Sequence, residues 1–269
     1  MWAARDGKAE LVQHLIERCS ADVNVINKYG ATALLMSAAN GNIGAVRYLA
    51  EECCANVNSK DNNGYTALML AAQSGNIAVI QYLVKRGANV NSKDNNGYTA
   101  LMSAVRSGNI DVVRCMAGEC GADLNAKHSD GYTALLWAVR DGNVDVVRYL
   151  AGECGADLSA RDDSGYTALM LAARSGNIDV VRYLSEECGA DLNTKDNNGY
   201  TARMWPFQNG NIAVVQYLAG ERGADLLSKT TDTVHSTEVG GSKGFIRCMP
   251  NKCSADLKRS KYYGYTALM

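Results

Sequence analysis

The sequence predicts an all-α solenoid of stacked helix-turn-helix units, each followed by a β-hairpin-like finger loop. Three observations lead there. A Gly-Tyr-Thr-Ala phrase opens at Gly64, Gly97, Gly131, Gly165 and Gly199, recurs at Gly264, and reads Gly-Ala-Thr-Ala at Gly30. The steps from Gly30 to Gly199 are 34, 33, 34, 34 and 34 residues. A fixed period of that length signals small units that touch only their neighbours, not a globule around one core. Each unit also holds two apolar stretches of helical period, split by a Gly-Asn pair and followed by a polar segment.

The unit from Gly131 to Ser164 shows how each element arises. Tyr132 follows the glycine, and Thr133 is placed to cap the first helix. Ala134 to Val139 form a dense apolar run, Arg140 and Asp141 turn polar, and Gly142 stops the helix as a left-handed residue. Asn143 reads as the N-cap of the second helix, with Asp145 in its first turn, where the helix dipole favours an anion. Val144, Val147 and Leu150 share one helical face. Gly155 to Leu158 leave the helix, and Ser159 to Ser164 build the polar finger. Helices of two to three turns are marginal in water, so they must bury their faces on the next unit. Ala71, Ala104, Ala138 and Ala172 suit helix axes about 8–10 Å apart.

The phrase from Asp61 to Ala72, with Gly75, Val79, Leu83 and the segment Gly87 to Asn91, resembles an ankyrin repeat. The resemblance recurs in register over almost the whole chain and implies an ankyrin-type solenoid. A tetratricopeptide array shares the period but requires a Trp-x-x-Leu-Gly phrase and lacks the finger. The chain departs from the family where Thr-Pro-Leu-His becomes Thr-Ala-Leu-Met at Thr66 to Met69 and Thr99 to Met102. Losing the histidine removes a side-chain hydrogen bond that the family uses around the finger. Alanine, a strong helix former, replaces the proline at little cost. The residue that separates 34-residue units from the 33-residue one falls near Glu119 to Gly121.

The expected organisation is a truncated repeat over 1–29, five regular repeats over 30–198, two degenerate repeats over 199–263 and a repeat start over 264–269. Neither end shows a capping repeat, which suggests a piece of a longer array or a truncated product. In the unit from Gly199, Arg203 takes the buried leucine column and Pro206 sits inside helix one, where a proline costs about 3 kcal/mol. The next unit has lost most of its first-helix pattern, and Pro250 interrupts its second helix.

Composition narrows the function. A formal net charge of -1 argues against a nucleic-acid partner, which normally demands a basic face. No apolar run reaches membrane-spanning length, so no membrane insertion is expected. Nine cysteines, an odd count, suit a reducing compartment, and the expected location is cytoplasmic. Cys19, Cys53, Cys120, Cys154, Cys188 and Cys253 share a column and read as small buried residues ending helix two. Cys115/Cys120 and Cys248/Cys253 are i, i+5 pairs, expected on different faces of a helix. The pair Cys53-Cys54 has no assigned role. His14, His128 and His235 show no ligand spacing and read as structural or solvated. Gly240 to Gly244 fails the spacing of a phosphate loop. The expectation is therefore a non-catalytic chain with no cofactor and no metal site.

What remains is a surface. In proteins resembling this one, partners dock on the finger tips and the inner face of helix one. The resemblance maps that surface to Asn63, Tyr65, Gln73, Asn96, Tyr98, Arg106, Tyr132, Arg140, Tyr166, Arg174 and Tyr200. Tyrosine and arginine are common binding hot spots. Arg106, Arg140 and Arg174 are expected beside Tyr98, Tyr132 and Tyr166, gripping an extended or acidic protein segment. The competing reading packs each tyrosine on its finger and leaves each arginine solvated. Trp2, Trp137 and Trp205 share a column with Met36, Leu70, Ser103 and Leu171, read as packing with recognition as the rival. The expected function is a monomeric protein-interaction scaffold. Its rivals are a recruiting array of a larger kinase or ubiquitin ligase, an enzyme in its own right, and a nucleic-acid binder. Hydrogen exchange should find residues 199–263 the least protected. Protection there equal to that of 64–198 would overturn the assignment of decayed repeats.

Overall fold

A computed structural model describes residues 1–220 and divides the chain into two compact units, Met1–Asp163 and Ser164 onward. Expectations for Pro250, His235, Gly240 to Gly244, Cys248/Cys253 and the repeat start at Gly264 lie outside the described residues.

In the first unit, helix-one segments are α1 (Trp2–Arg5), α3 (Ala33–Ala39), α5 (Ala67–Gln73), α7 (Ala100–Ser107) and α9 (Ala134–Arg140). Their helix-two partners are α2 (Ala9–Cys19), α4 (Ile43–Glu51), α6 (Ile77–Lys85), α8 (Ile110–Arg114) and α10 (Val144–Arg148). Consecutive helix-one segments pack side by side, α1 on α3, α3 on α5, α5 on α7 and α7 on α9. Leu34, Leu68, Leu101 and Leu135 fill one column at 1% exposure each, and Ala38, Ala71, Ala104 and Ala138 beside them are wholly buried. Burying one such leucine contributes about 1.5–3 kcal/mol, which is how helices this short persist. Thr32, Thr66, Thr99 and Thr133 cap helix one by accepting from the backbone N–H three residues on.

The second unit repeats this plan with α11 (Ala168–Ser175), α12 (Ile178–Arg182), α13 (Trp205–Asn209) and α14 (Ile212–Gly220). Helix α11 packs on α13, and α12 on α14. The cost expected for Pro206 is corrected. Helix α13 begins only at Trp205, so the proline lies in its first turn, where a missing N–H leaves nothing unpaired. The residues that open helix one elsewhere, here Ala202 to Met204, form a turn, with Arg203 half-buried in the leucine column.

The Gly-Asn turn needs a second correction. Asn143 accepts no capping hydrogen bond; its Nδ2 donates to the Val105 carbonyl of the preceding repeat at 3.4 Å. Asn42 likewise donates to the Ala4 carbonyl at 3.0 Å, and in the second unit Asn211 donates to that of Ala173 at 3.3 Å. Asn109 and Asn177 do cap their helices. A side chain carrying both donor and acceptor can serve either end, and the neighbouring repeat decides which.

The fingers are bound to one another. Asn62 N donates to Tyr29 O, Asn95 N to Asn63 O, Ser129 N to Asn96 O and Asp163 N to Asp130 O, at 2.9 to 3.1 Å. In the second unit Asn197 N donates to Ser164 O at 3.2 Å. Isolated antiparallel bridges, Lys60 to Thr66 and Lys195 to Thr201, give two fingers their hairpin form. In two of these tips an aspartate braces the loop. Asp61 Oδ1 accepts from Asn63 N and Tyr65 N, and Asp94 Oδ1 accepts from Asn96 N and Tyr98 N. His128 fills this column in the next repeat, its Nδ1 accepting from Asp130 N at 3.1 Å, and it is buried.

In three of the four 34-residue units the extra residue is taken up by a π turn, whereas the unit from Gly30 keeps an α-helical α4. Helix two widens over Cys115–Glu119, Tyr149–Glu153 and, in the second unit, Tyr183–Glu187. The unit of 33 residues from Gly64 keeps an unbroken α6. After each helix two comes a left-handed residue: Gly87, Gly121, Gly155 and Gly189 at φ of 68–83°, but Ser20 at 50° and Cys54 at 52°. Cys54 thus occupies a glycine position and carries left-handed strain of about 1–2 kcal/mol. The cysteine column is also corrected: Cys19 is exposed, and Cys53, Cys120, Cys154 and Cys188 are only half-buried.

Thermal or urea unfolding should show Cys54→Gly stabilising the protein by about 1 kcal/mol, after allowance for glycine's greater unfolded freedom. Gly64→Ala should destabilise it by more than about 2 kcal/mol, because its Cβ meets Asn95 N at 2.7 Å from a φ of +85°.

Candidate interaction surface

The inner face of the first unit is assembled from the end of helix one and the finger tyrosine of each repeat. Tyr65, Gln73, Tyr98, Ser103, Arg106 and Ser107 line an open hollow of about 250 Å³. Ser103 is the residue that sequence reasoning did not place in a site. It stands in the tryptophan column, and the signal was the small residue in a column of large ones. In the next repeat that column holds Trp137, 6% exposed, whose ring packs on Tyr98 at 5.4 Å and Tyr132 at 5.0 Å. Trp137 thus fills, one repeat on, the space that Ser103 leaves open. His128 completes the cluster, edge-on to Tyr98 at 4.3 Å. The Trp137 indole N–H has no hydrogen-bond acceptor.

Each expected arginine lies over aromatic rings. The Arg106 guanidinium carbon is 5.1 Å from the Tyr98 ring and 5.6 Å from that of Trp137. That of Arg140 is 4.6 Å from Trp137 and 5.8 Å from Tyr132. The two guanidinium carbons therefore lie within about 10 Å of each other, close to the spacing of neighbouring helices. In the second unit Arg174 sits 5.3 Å over Tyr166 and 5.4 Å over Trp205. Among the described residues, none of the three arginines forms an ion pair with a carboxylate, and all are exposed. Stacking on an aromatic face holds a guanidinium in place while its N–H donors stay available.

The remaining candidates divide. Asn63 and Asn96 are exposed at finger tips, with their carbonyls taken by the next finger. Their neighbours Asn62 and Asn95 are engaged in structure, donating from Nδ2 to Lys28 O and Asn62 O. Tyr65, Tyr98 and Tyr132 are half-buried, so each keeps an accessible edge. Tyr166 is 8% exposed and offers the least surface, while Tyr200 packs on Trp205 at 5.3 Å. Burial pushes the Tyr98 hydroxyl above its ordinary value, against the opposing pull of Arg106 and Arg140. It therefore remains a neutral donor at physiological pH.

Among the described residues, no group of three or more His, Cys, Asp or Glu side chains is arranged to hold a metal ion. No described helix is long and apolar enough to cross a membrane.

A family model described as ankyrin repeats matches the chain in three copies, over residues 1–94, 91–162 and 154–230. No curated protein matches the chain.

Carbon-13 NMR of ring-labelled tyrosine should find Tyr98 titrating above pH 10, the ordinary phenol value. Arg106→Gln should raise it further, because the positive charge that favours the phenolate is gone. A downward shift would contradict the placement of Arg106 over this ring.

Proposed function

The chain belongs to the ankyrin-repeat family, whose repeats generally serve as protein–protein interaction modules, and on that premise we propose that it is a non-catalytic scaffold for an extended acidic protein segment. The segment lies along the inner face of the first unit. Its carboxylates take the free donors of Arg106 and Arg140, and one apolar or aromatic side chain enters the hollow over Ser103. The observation that carries this reading is the stacking of two arginines on Trp137 with no carboxylate partner among the described residues. A polyproline-II segment has three residues per turn and advances about 3.1 Å per residue, so acidic residues three apart share a face and span about 9 Å, within reach of two arginines no more than about 10 Å apart.

Charge supports the reading as well. Asp141 is exposed next to Arg140, yet the hollow itself is lined by neutral and cationic side chains alone. The Tyr98 hydroxyl adds a neutral donor at its wall. A monomeric state and a cytoplasmic location belong to the same proposal, the location supported by the odd cysteine count.

Selection from a displayed library of random linear peptides tests it. The unaltered chain should enrich sequences with acidic residues at every third position. Arg106→Glu with Arg140→Glu should weaken a selected peptide at least tenfold per arginine, or about 1.4 kcal/mol each. Ser103→Trp, which installs the residue of the next repeat, should abolish binding while leaving the melting temperature unchanged or higher. Enrichment without acidic bias, or full binding by Ser103→Trp, would remove this face from consideration.

A further inference from the structure

The i, i+5 cysteines of the repeat from Gly97 are not on different faces. The π turn over Cys115–Glu119 brings residue i+5 back above residue i, and Cys120 N donates to Cys115 O at 2.9 Å. The two sulfur atoms consequently lie 3.8 Å apart, in contact. An α-helical turn would have carried Cys120 well around the axis from Cys115. Elsewhere the same register pairs cysteine with tyrosine, as in Tyr48 with Cys53, Tyr149 with Cys154 and Tyr183 with Cys188. Only here, among the described residues, does a cysteine replace the tyrosine.

We infer that Cys115 and Cys120 are a disulfide-forming dithiol, oxidised by low-molecular-weight disulfides of the glutathione type. Cys115 is 3% exposed and Cys120 half-buried, so the first attack falls to Cys120. Its thiolate attacks one sulfur of the small disulfide and expels one thiolate, leaving a mixed disulfide on Cys120. The Cys115 thiolate, already in contact, attacks the Cys120 sulfur and expels the second small thiol. One S–S bond is broken and one is formed. The protein is oxidised by two electrons, the small disulfide is reduced by two, and the two thiol protons end on the two small thiols.

Neither step requires the backbone to move far. A disulfide needs its sulfurs at about 2.05 Å, and the gap closes by side-chain rotation because the π turn has already joined the two peptide groups. Burial pushes the Cys115 thiol up to about 12 and raises that of Cys120, so little thiolate is present and exchange is slow. Glu119, whose Oε2 lies 3.7 Å from Cys115 Sγ, acts in the same direction. The pair is on helix two, away from Arg106 and the hollow, so this inference does not rest on the proposed peptide site.

Mass spectrometry of the full chain tests it. After treatment with oxidised glutathione and alkylation of the remaining thiols, cleavage after Arg114 and Lys127 releases one peptide containing both cysteines and no other. That peptide should be short of two hydrogens and should take up alkylating reagent only after reduction. Cys115→Tyr, which restores the residue of the neighbouring repeats, should leave Cys120 as a lasting glutathione adduct. Two glutathione adducts on the native peptide, or two alkylated thiols once the exposed Cys19 and Cys54 have been oxidised, would overturn the assignment.

Discussion

Each finger of the first unit after the first hands one backbone N–H to the finger before it, and most of the structure follows from making that bond possible. The donor can approach only where the preceding finger has no Cβ. A Cβ on Gly64 or Gly131 would lie 2.7 or 2.6 Å from the incoming nitrogen. The same glycines sit at φ of 85° and 80°, so position and neighbour make one demand. Each bond alone contributes only about 0.5–1.5 kcal/mol. Its larger effect is to fix the step from repeat to repeat, which sets which side chains meet.

Polar side chains reinforce the step. Lys60, Lys93 and Lys127 each donate from Nζ to the carbonyl of the following finger, at Lys93, Lys127 and Arg161. Asn58, Asn91 and Asn125 accept from the backbone of the next repeat. Much of the sequence uniformity along the fingers is therefore structural. It belongs to residues that hold their neighbours and leaves only a few positions to face outward. With the step fixed, the arginine of one repeat reaches the tryptophan of the next, and a serine in the tryptophan column leaves a hollow with aromatic walls.

The period, the threonine caps, the buried leucine column and the arginine–tyrosine pairing were legible in the sequence because each is a local rule repeated at fixed spacing. Other features depended on what lies one repeat away. Asn143 reads as a cap until Val105 offers it a carbonyl, and Pro206 reads as a break until helix one is seen to start late enough to place it in the first turn. The π turns escaped because an inserted residue has no side-chain signature, and with them went the true facing of Cys115 and Cys120. The strain at Cys54 was hidden in the same way, since only the aligned glycines of later repeats reveal the conformation it must adopt. Ser103 was noticed as an odd member of a column, but composition gives no volume, and only the hollow beside it makes it a candidate.

The π turn separates length from phase. Repeats of 33 and 34 residues differ at the far end of helix two, and the surplus peptide is absorbed there before the chain reaches the following finger. Within the first unit each finger therefore still bonds to the one before it, whichever length preceded it. Gene segments of unequal length can be duplicated, exchanged or lost without breaking the ladder of finger-to-finger bonds. An array built this way can diverge by recombination, with each crossover leaving its aromatic and cationic columns aligned.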